Sequence, residues 1–153
     1  MRSKVLDILT LTTPSNLDKN EDLLSCVSRK LLEADYVNDE YEKAILKRER
    51  EYPTGLEITK ELSVAIPHAD PEYVKKEALV VIKPEKFIKF RKMDDPDVEI
   101  PVSIIFLLLI RDPDGYVKFL AKLTELFLKE GFIEIVRSGS LEDIKKFLKT
   151  NLQ

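Results

Sequence analysis

The chain has 153 residues, 44% of them hydrophobic, which is enough material for one domain with a real core. Its 25 basic and 28 acidic side chains nearly cancel to a formal charge of −3, which excludes the strongly basic surface that nucleic acid or an anionic membrane would require. One cysteine, Cys26, excludes an internal disulfide, and no Cys/His set has zinc-ligand spacing, so no metal is expected and a reducing, cytoplasmic compartment is.

The opening MRSKVLDILTL turns from basic to apolar, but Asp7 interrupts it and no small-residue cleavage site follows, so it does not read as a leader. Residues 5–11 read as a short strand. Leu23, Leu24, Val27 and Leu31 then recur at helical spacing and predict an amphipathic helix over about 17–35, with Cys26 on its apolar side. Asn38 offers an N-cap for a second helix, DEYEKAILKRERE. Its apolar face is Tyr41, Ala44 and Ile45; its polar face carries Lys47, Arg48, Glu49 and Arg50. Pro53 ends it, and Thr54-Gly55 supplies a turn.

Strand-like texture follows. Val64–Ile66 is short and β-branched, Ala78–Ile82 is apolar throughout, and 86–90 alternates as an edge strand would. Asp94-Asp95-Pro96-Asp97 is a polar turn. Pro101 opens VSIIFLLLI, a run too short to span a bilayer as a helix but typical of a strand buried on both faces. Asp112-Pro113 caps a helix to about Lys129 that should bury Val117, Leu120, Leu123 and Phe127, with Gly131 as its stop. Residues 132–136 fit a strand or a helical turn. Ser140 with Asp143 forms a capping box for a last helix. The class is therefore α/β: a single domain over 1–153, with a small mixed sheet flanked by helices on both faces.

The only histidine, His68, lies in SVAIPHAD. Pro67 lacks an N–H and should stop ladder pairing, leaving the imidazole at a strand end, where α/β sheets place their sites. A neutral imidazole is a nucleophile able to take a phosphoryl group and pass it on. Arg48, near the end of a helix leading back towards that strand, is a candidate cation, and Thr54 a candidate hydrogen-bonding group. Taken alone, each has a blander reading: a structural histidine, a solvated KRER face, an ordinary turn. With four glycines, neither GxGxxG nor GxxxxGK[ST] occurs, and no carboxylate pair has a defined spacing. A pure binding module with a structural histidine and an unrelated metabolic enzyme are the other classes.

The stretch KREREYPTGLEITKELSVAIPHAD resembles the active-site region of the enzyme IIA domains of the bacterial phosphoenolpyruvate-dependent sugar phosphotransferase system, fructose/mannitol superfamily. Arg48-Glu49, Thr54-Gly55 and Ile66-Pro67-His68 carry the pattern, and YPTGL followed by VAIPHAD is most similar to the galactitol branch. Phe90 with Met93, the strand 102–110 and the helix 116–128 extend the likeness over essentially the whole chain. The resemblance implies a mixed sheet flanked by helices and a phosphotransferase without cofactor. His68 would accept a phosphoryl group from the phosphocarrier HPr and pass it to a cysteine of enzyme IIB, with membrane enzyme IIC moving the sugar and no membrane insertion of this chain. Arg48 would stabilise the phosphoryl group and Thr54 would hydrogen-bond nearby. A regulatory IIA-like protein, with phospho-His68 as a signal, is the alternative. Mannitol-type members carry a second histidine where this chain has Tyr116 or its neighbours, and a carboxylate before the Ile-Pro-His element is matched only one residue off, by Glu61. A backbone carbonyl, Glu61 or Tyr116 could orient His68. Ile66, Pro67, Ala69 and Tyr52 are candidates for the rim of a docking surface.

Overall fold

The structure, a computed structural model, describes residues 6–152. The first strand expectation therefore reaches beyond the described residues at Val5, and the basic start of the chain also lies outside them. A five-stranded mixed sheet has the order β1-β4-β7-β3-β2, built from β1 (Asp7–Leu11), β2 (Gly55–Glu57), β3 (Ser63–Ala65), β4 (Ala78–Ile82) and β7 (Ile104–Leu109). β1 runs parallel to β4 and β3 parallel to β7, whereas β4–β7 and β2–β3 are antiparallel. A separate hairpin pairs β5 (Ile88–Arg91) with β6 (Glu99–Val102).

Strand β7 organises the core because its residues alternate between the two faces of the sheet. Ile105, Leu107 and Leu109 meet Leu23, Leu24, Val27 and Leu31 of α1 (Asn20–Glu33), Tyr41 and Ile45 of α2 (Tyr41–Glu51), and the hairpin. Ile104, Phe106 and Leu108 meet the opposite layer: α3 (Pro113–Phe127), α4 (Glu130–Ser138) and α5 (Leu141–Leu152). There Phe106, Phe127 and Phe132 pack as a tilted triplet with ring centroids 5.0–5.9 Å apart. The expected α/β class, with helices on both faces of a mixed sheet, is what the chain adopts.

Several local expectations change. Helix α1 stops at Glu33 rather than 35 because Asp35 sits at φ 65°, and the Tyr36 N–H returns to the Leu31 carbonyl at 2.9 Å. Cys26 on this helix is half-buried, not core. Asn38 does not cap α2; its side chain accepts from the Glu40 N–H at 3.1 Å in a turn one step earlier. Glu49 is not on the solvated face of α2 but buried at 6% exposure. The run 102–110 is not one strand: Pro101 lies inside β6, and the chain breaks at Ser103 between the hairpin and β7. The 86–90 segment belongs to the hairpin, with Ile88 and Phe90 inward, rather than to an edge of the main sheet. In α3, Asp112 caps Asp114 as expected, but Val117 is 65% exposed. Gly131 does not stop a helix; it lies within α4, which residues 132–136 join as helix. The Ser140–Asp143 capping box forms reciprocally at 3.0 and 3.1 Å.

Gly55 is not a turn residue. It opens β2 and lies against the hairpin, where its carbonyl accepts from the Met93 N–H at 2.8 Å and an added Cβ would stand 2.5 Å from the Arg91 carbonyl oxygen. Backbone cannot yield as a flexible side chain would. Gly55→Ala is expected to cost about 2 kcal/mol by overpacking, read as a lower urea midpoint at unchanged slope.

Candidate active site

The topology brings three segments to one end of the sheet. β3 and β7 are parallel, so the residues after β3 and the start of α3 after β7 emerge together. β2 is antiparallel to β3, with Gly55 opposite Ala65, so the end of α2 arrives at that same end. This is the carboxyl end of the two parallel strands, where open α/β sheets form crevices. His68, Arg48 and Tyr116 come from these three segments.

His68 follows β3 and is half-buried. Pairing does not stop at Pro67, contrary to expectation. Pro67 cannot donate, but its carbonyl accepts from the Leu108 N–H at 3.1 Å, and His68 itself bridges Leu108. The imidazole thus sits on a strand extension anchored to the central strand. Its Nδ1 lies 3.1 Å from the Ile66 carbonyl oxygen. A carbonyl only accepts, so Nδ1 carries the proton and Nε2 keeps its lone pair. Burial holds this imidazole below its ordinary range, and the Arg48 charge acts the same way; the Ile66 bond and the Asp70 carboxylate oppose them. The imidazole is therefore neutral near pH 7, with its free lone pair on Nε2.

Arg48 stands on the same side. Its Nη1 is 3.7 Å from Asp70 Oδ1, two residues past His68, and its guanidinium carbon is 5.4 Å from the centre of the Tyr52 ring. Its Nε is buried without a hydrogen-bond partner among the described residues. Arg48, Tyr52, Asp70 and Tyr73 line a cleft of about 180 Å³.

Thr54 is near but does not reach the imidazole. It is buried, and both its polar groups are committed: its N–H and hydroxyl each donate to Glu49 at 2.8 Å. Its Oγ in turn accepts from the Ile66 N–H at 3.2 Å. Glu49, Thr54, Ile66 and His68 are thereby linked in a directional series. The Ile66 peptide is held on one side through Thr54 and offers its carbonyl to Nδ1 on the other. Glu61 is not part of the site; it is exposed and pairs with Arg137 at 2.8 Å. Ile66, Pro67 and Ala69 are buried and cannot rim a docking surface, whereas Tyr52 is 63% exposed.

Three residues at the site carried little weight in the sequence. Asp70 sat unremarked in SVAIPHAD, and Glu49 was read as solvated. Tyr116, named only as one alternative, places its hydroxyl 3.1 Å from Nδ1 and 3.0 Å from Nε2 of His68, with ring centroids 4.7 Å apart. The signal available for Tyr116 was its place in the first turn after the buried strand.

The five-stranded mixed sheet with helices on both faces is the fold of solved enzyme IIA domains. The IIA mannitol domain of Escherichia coli, solved in complex with phosphorylated enzyme IIB mannitol, superposes with a TM-score of 0.71 at 20% identity, covering 97% of this chain and 98% of that one. The nitrogen regulatory protein IIA-Ntr of Neisseria meningitidis superposes at 0.66 with 21% identity, covering 95% and 92%. In sequence, the galactitol-specific EIIA component of Escherichia coli K12 is 29% identical over 106 residues, 69% of each chain. The family model for "Phosphoenolpyruvate-dependent sugar phosphotransferase system, EIIA 2" matches residues 4–151, and the chain belongs to this family. It is accordingly a phosphotransferase component. Among the described residues no helix is long and apolar enough to cross a membrane.

Proposed function

We propose that this protein is a cytoplasmic phosphoryl carrier. Nε2 of His68 takes a phosphoryl group from phospho-HPr and delivers it to a cysteine of an enzyme IIB. Enzyme IIC couples that relay to uptake and phosphorylation of a galactitol-like sugar. The observation that carries the reading is the Ile66 carbonyl on Nδ1: it fixes the tautomer that leaves Nε2 nucleophilic, beside the Arg48 cation. The match to galactitol-specific relatives supports the sugar class, and a IIA relative of the same fold in complex with its IIB supports the acceptor. The reaction is in-line transfer between proteins. Positioning and charge compensation do most of the work, since the group arrives already activated.

Incubation with phosphoenolpyruvate, enzyme I and HPr tests this by intact mass. One acid-labile phosphoryl adduct is expected. No adduct, with HPr phosphorylated in the same tube, overturns the reading.

Arg48 supplies the cation for the charged phosphoryl oxygens. Its side chain is 38% exposed, so solvent screens it and the effect is smaller than in a closed site. Arg48→Met keeps the stem and removes the charge. It is expected to slow phosphoryl acceptance about tenfold, checked by quenched-flow kinetics against phospho-HPr.

A further inference from the structure

The position of the Tyr116 hydroxyl is chemically odd for a residue that only holds a ring in place. It is nearly equidistant from Nδ1 and Nε2. A hydroxyl so placed cannot lie in the imidazole plane, because the Cε1 carbon between the nitrogens would collide with it. It therefore lies over the ring face. Nδ1 carries a proton, which it donates in a hydrogen bond to the Ile66 carbonyl, so it has no lone pair to offer. The Nε2 lone pair lies in the ring plane, so the hydroxyl meets it poorly and leaves it uncovered for attack.

The geometry points to Tyr116 as a catalytic residue of the transfer: its O–H, idle over the free imidazole, donates to a phosphoryl oxygen once phosphorus bonds to Nε2. This deepens the reading of His68 as the acceptor and rests on it. In the step, the Nε2 lone pair forms the new N–P bond as the donor's N–P bond breaks, and that electron pair stays with the donor nitrogen. The Nδ1 proton stays on Nδ1, and Tyr116 keeps its own. The incoming group is in line with the lone pair, and its three equatorial oxygens splay out of the ring plane. One of them rises on the face that Tyr116 covers. Those oxygens hold the charge of the transition state, where a prepositioned donor acts most strongly. Burial raises the phenol above its ordinary range, against the Arg48 charge, so it stays protonated and able to donate near pH 7, where His68 is neutral. A neutral hydroxyl also lets the group leave again for the next acceptor, because it forms no bond to phosphorus.

The test compares wild type, Tyr116→Phe and Tyr116→His. Phosphorylation by phospho-HPr first establishes the acceptor on wild type. Rates are then measured with phosphoramidate, a small donor that needs no docking surface. Loss of a hydrogen bond to a charged group should lower the maximal rate of the Phe variant about ten- to hundredfold, with little change in half-saturation and an unchanged Tm. Its phosphohistidine should also show a shifted phosphorus resonance, and the His variant, which restores a donor, should recover most of the rate. A Phe variant as fast as wild type, or one slowed only towards HPr, overturns the tyrosine proposal and leaves the acceptor standing. No adduct on wild type overturns both.

Discussion

His68→Gln is expected to reduce phosphoryl acceptance to background while leaving the fold in place. An amide nitrogen has no basic lone pair, so no N–P bond can form, yet its NH₂ group can still donate to the Ile66 carbonyl that Nδ1 now serves. The histidine is half-buried at a strand end and its loss opens no large cavity, so thermal stability should change by no more than about 1 kcal/mol. Intact mass after incubation with phospho-HPr reads the first quantity, and a melting curve the second. The wild type carries a further consequence. Burial keeps the imidazole below its ordinary range, so its neutral form persists as pH falls. Acceptance should therefore hold down to about pH 6.5, where an exposed histidine is half protonated. An adduct that survives His68→Gln sinks the assignment, because it would have to sit on another side chain.

The sequence revealed more of the layers than of the joins. The apolar periodicity in α1 and the apolar stretch at 78–82 record burial directly, whereas in α3 only the second half does, with Val117 exposed. The break at Ser103 left no such trace, since Val102 and Ile104 are both buried, one in the hairpin and one in the sheet. Gly131 and Gly55 misled for a related reason. Both were read as punctuation, but one lies inside a helix, and the other is glycine because the Arg91 carbonyl stands where its Cβ would be. That neighbour is 36 residues away and appears in no local pattern. At the site, His68 and Arg48 stood out only through the ordered pattern Arg48-Glu49, Thr54-Gly55 and Ile66-Pro67-His68, since each alone fits a structural or solvated residue. The burial of Glu49 was not legible. Within KRER a glutamate reads as surface, and only the return of Thr54 over the end of α2 buries it.

That buried carboxylate gives the protein a pH-dependent stability that a single substitution can isolate. Burial raises the Glu49 pKa from 4.5 to about 7, against the Thr54 hydrogen bonds and the Arg48 charge, which pull it down. The folded protein therefore holds a proton between those values that the unfolded chain has already released. Stability from this group is full below about pH 4.5 and is lost as pH rises through about 7. The interval corresponds to about 3 kcal/mol at about 1.4 kcal/mol per pH unit. Glu49→Gln cannot titrate. Its amide oxygen can accept from the Thr54 N–H and its NH₂ group can donate to the Thr54 Oγ, so its own hydrogen bonds do not vary with pH. The unfolding free energy of wild type minus that of Glu49→Gln, from urea titrations, should thus fall by about 3 kcal/mol between pH 4.5 and 8. The other carboxylates titrate alike in both proteins and cancel. A flat difference would mean that Glu49 is ionised throughout, held so by the adjacent Arg48. The guanidinium would then be partly neutralised before any phosphoryl group arrived, and the tenfold effect expected for Arg48→Met should shrink in the same measure.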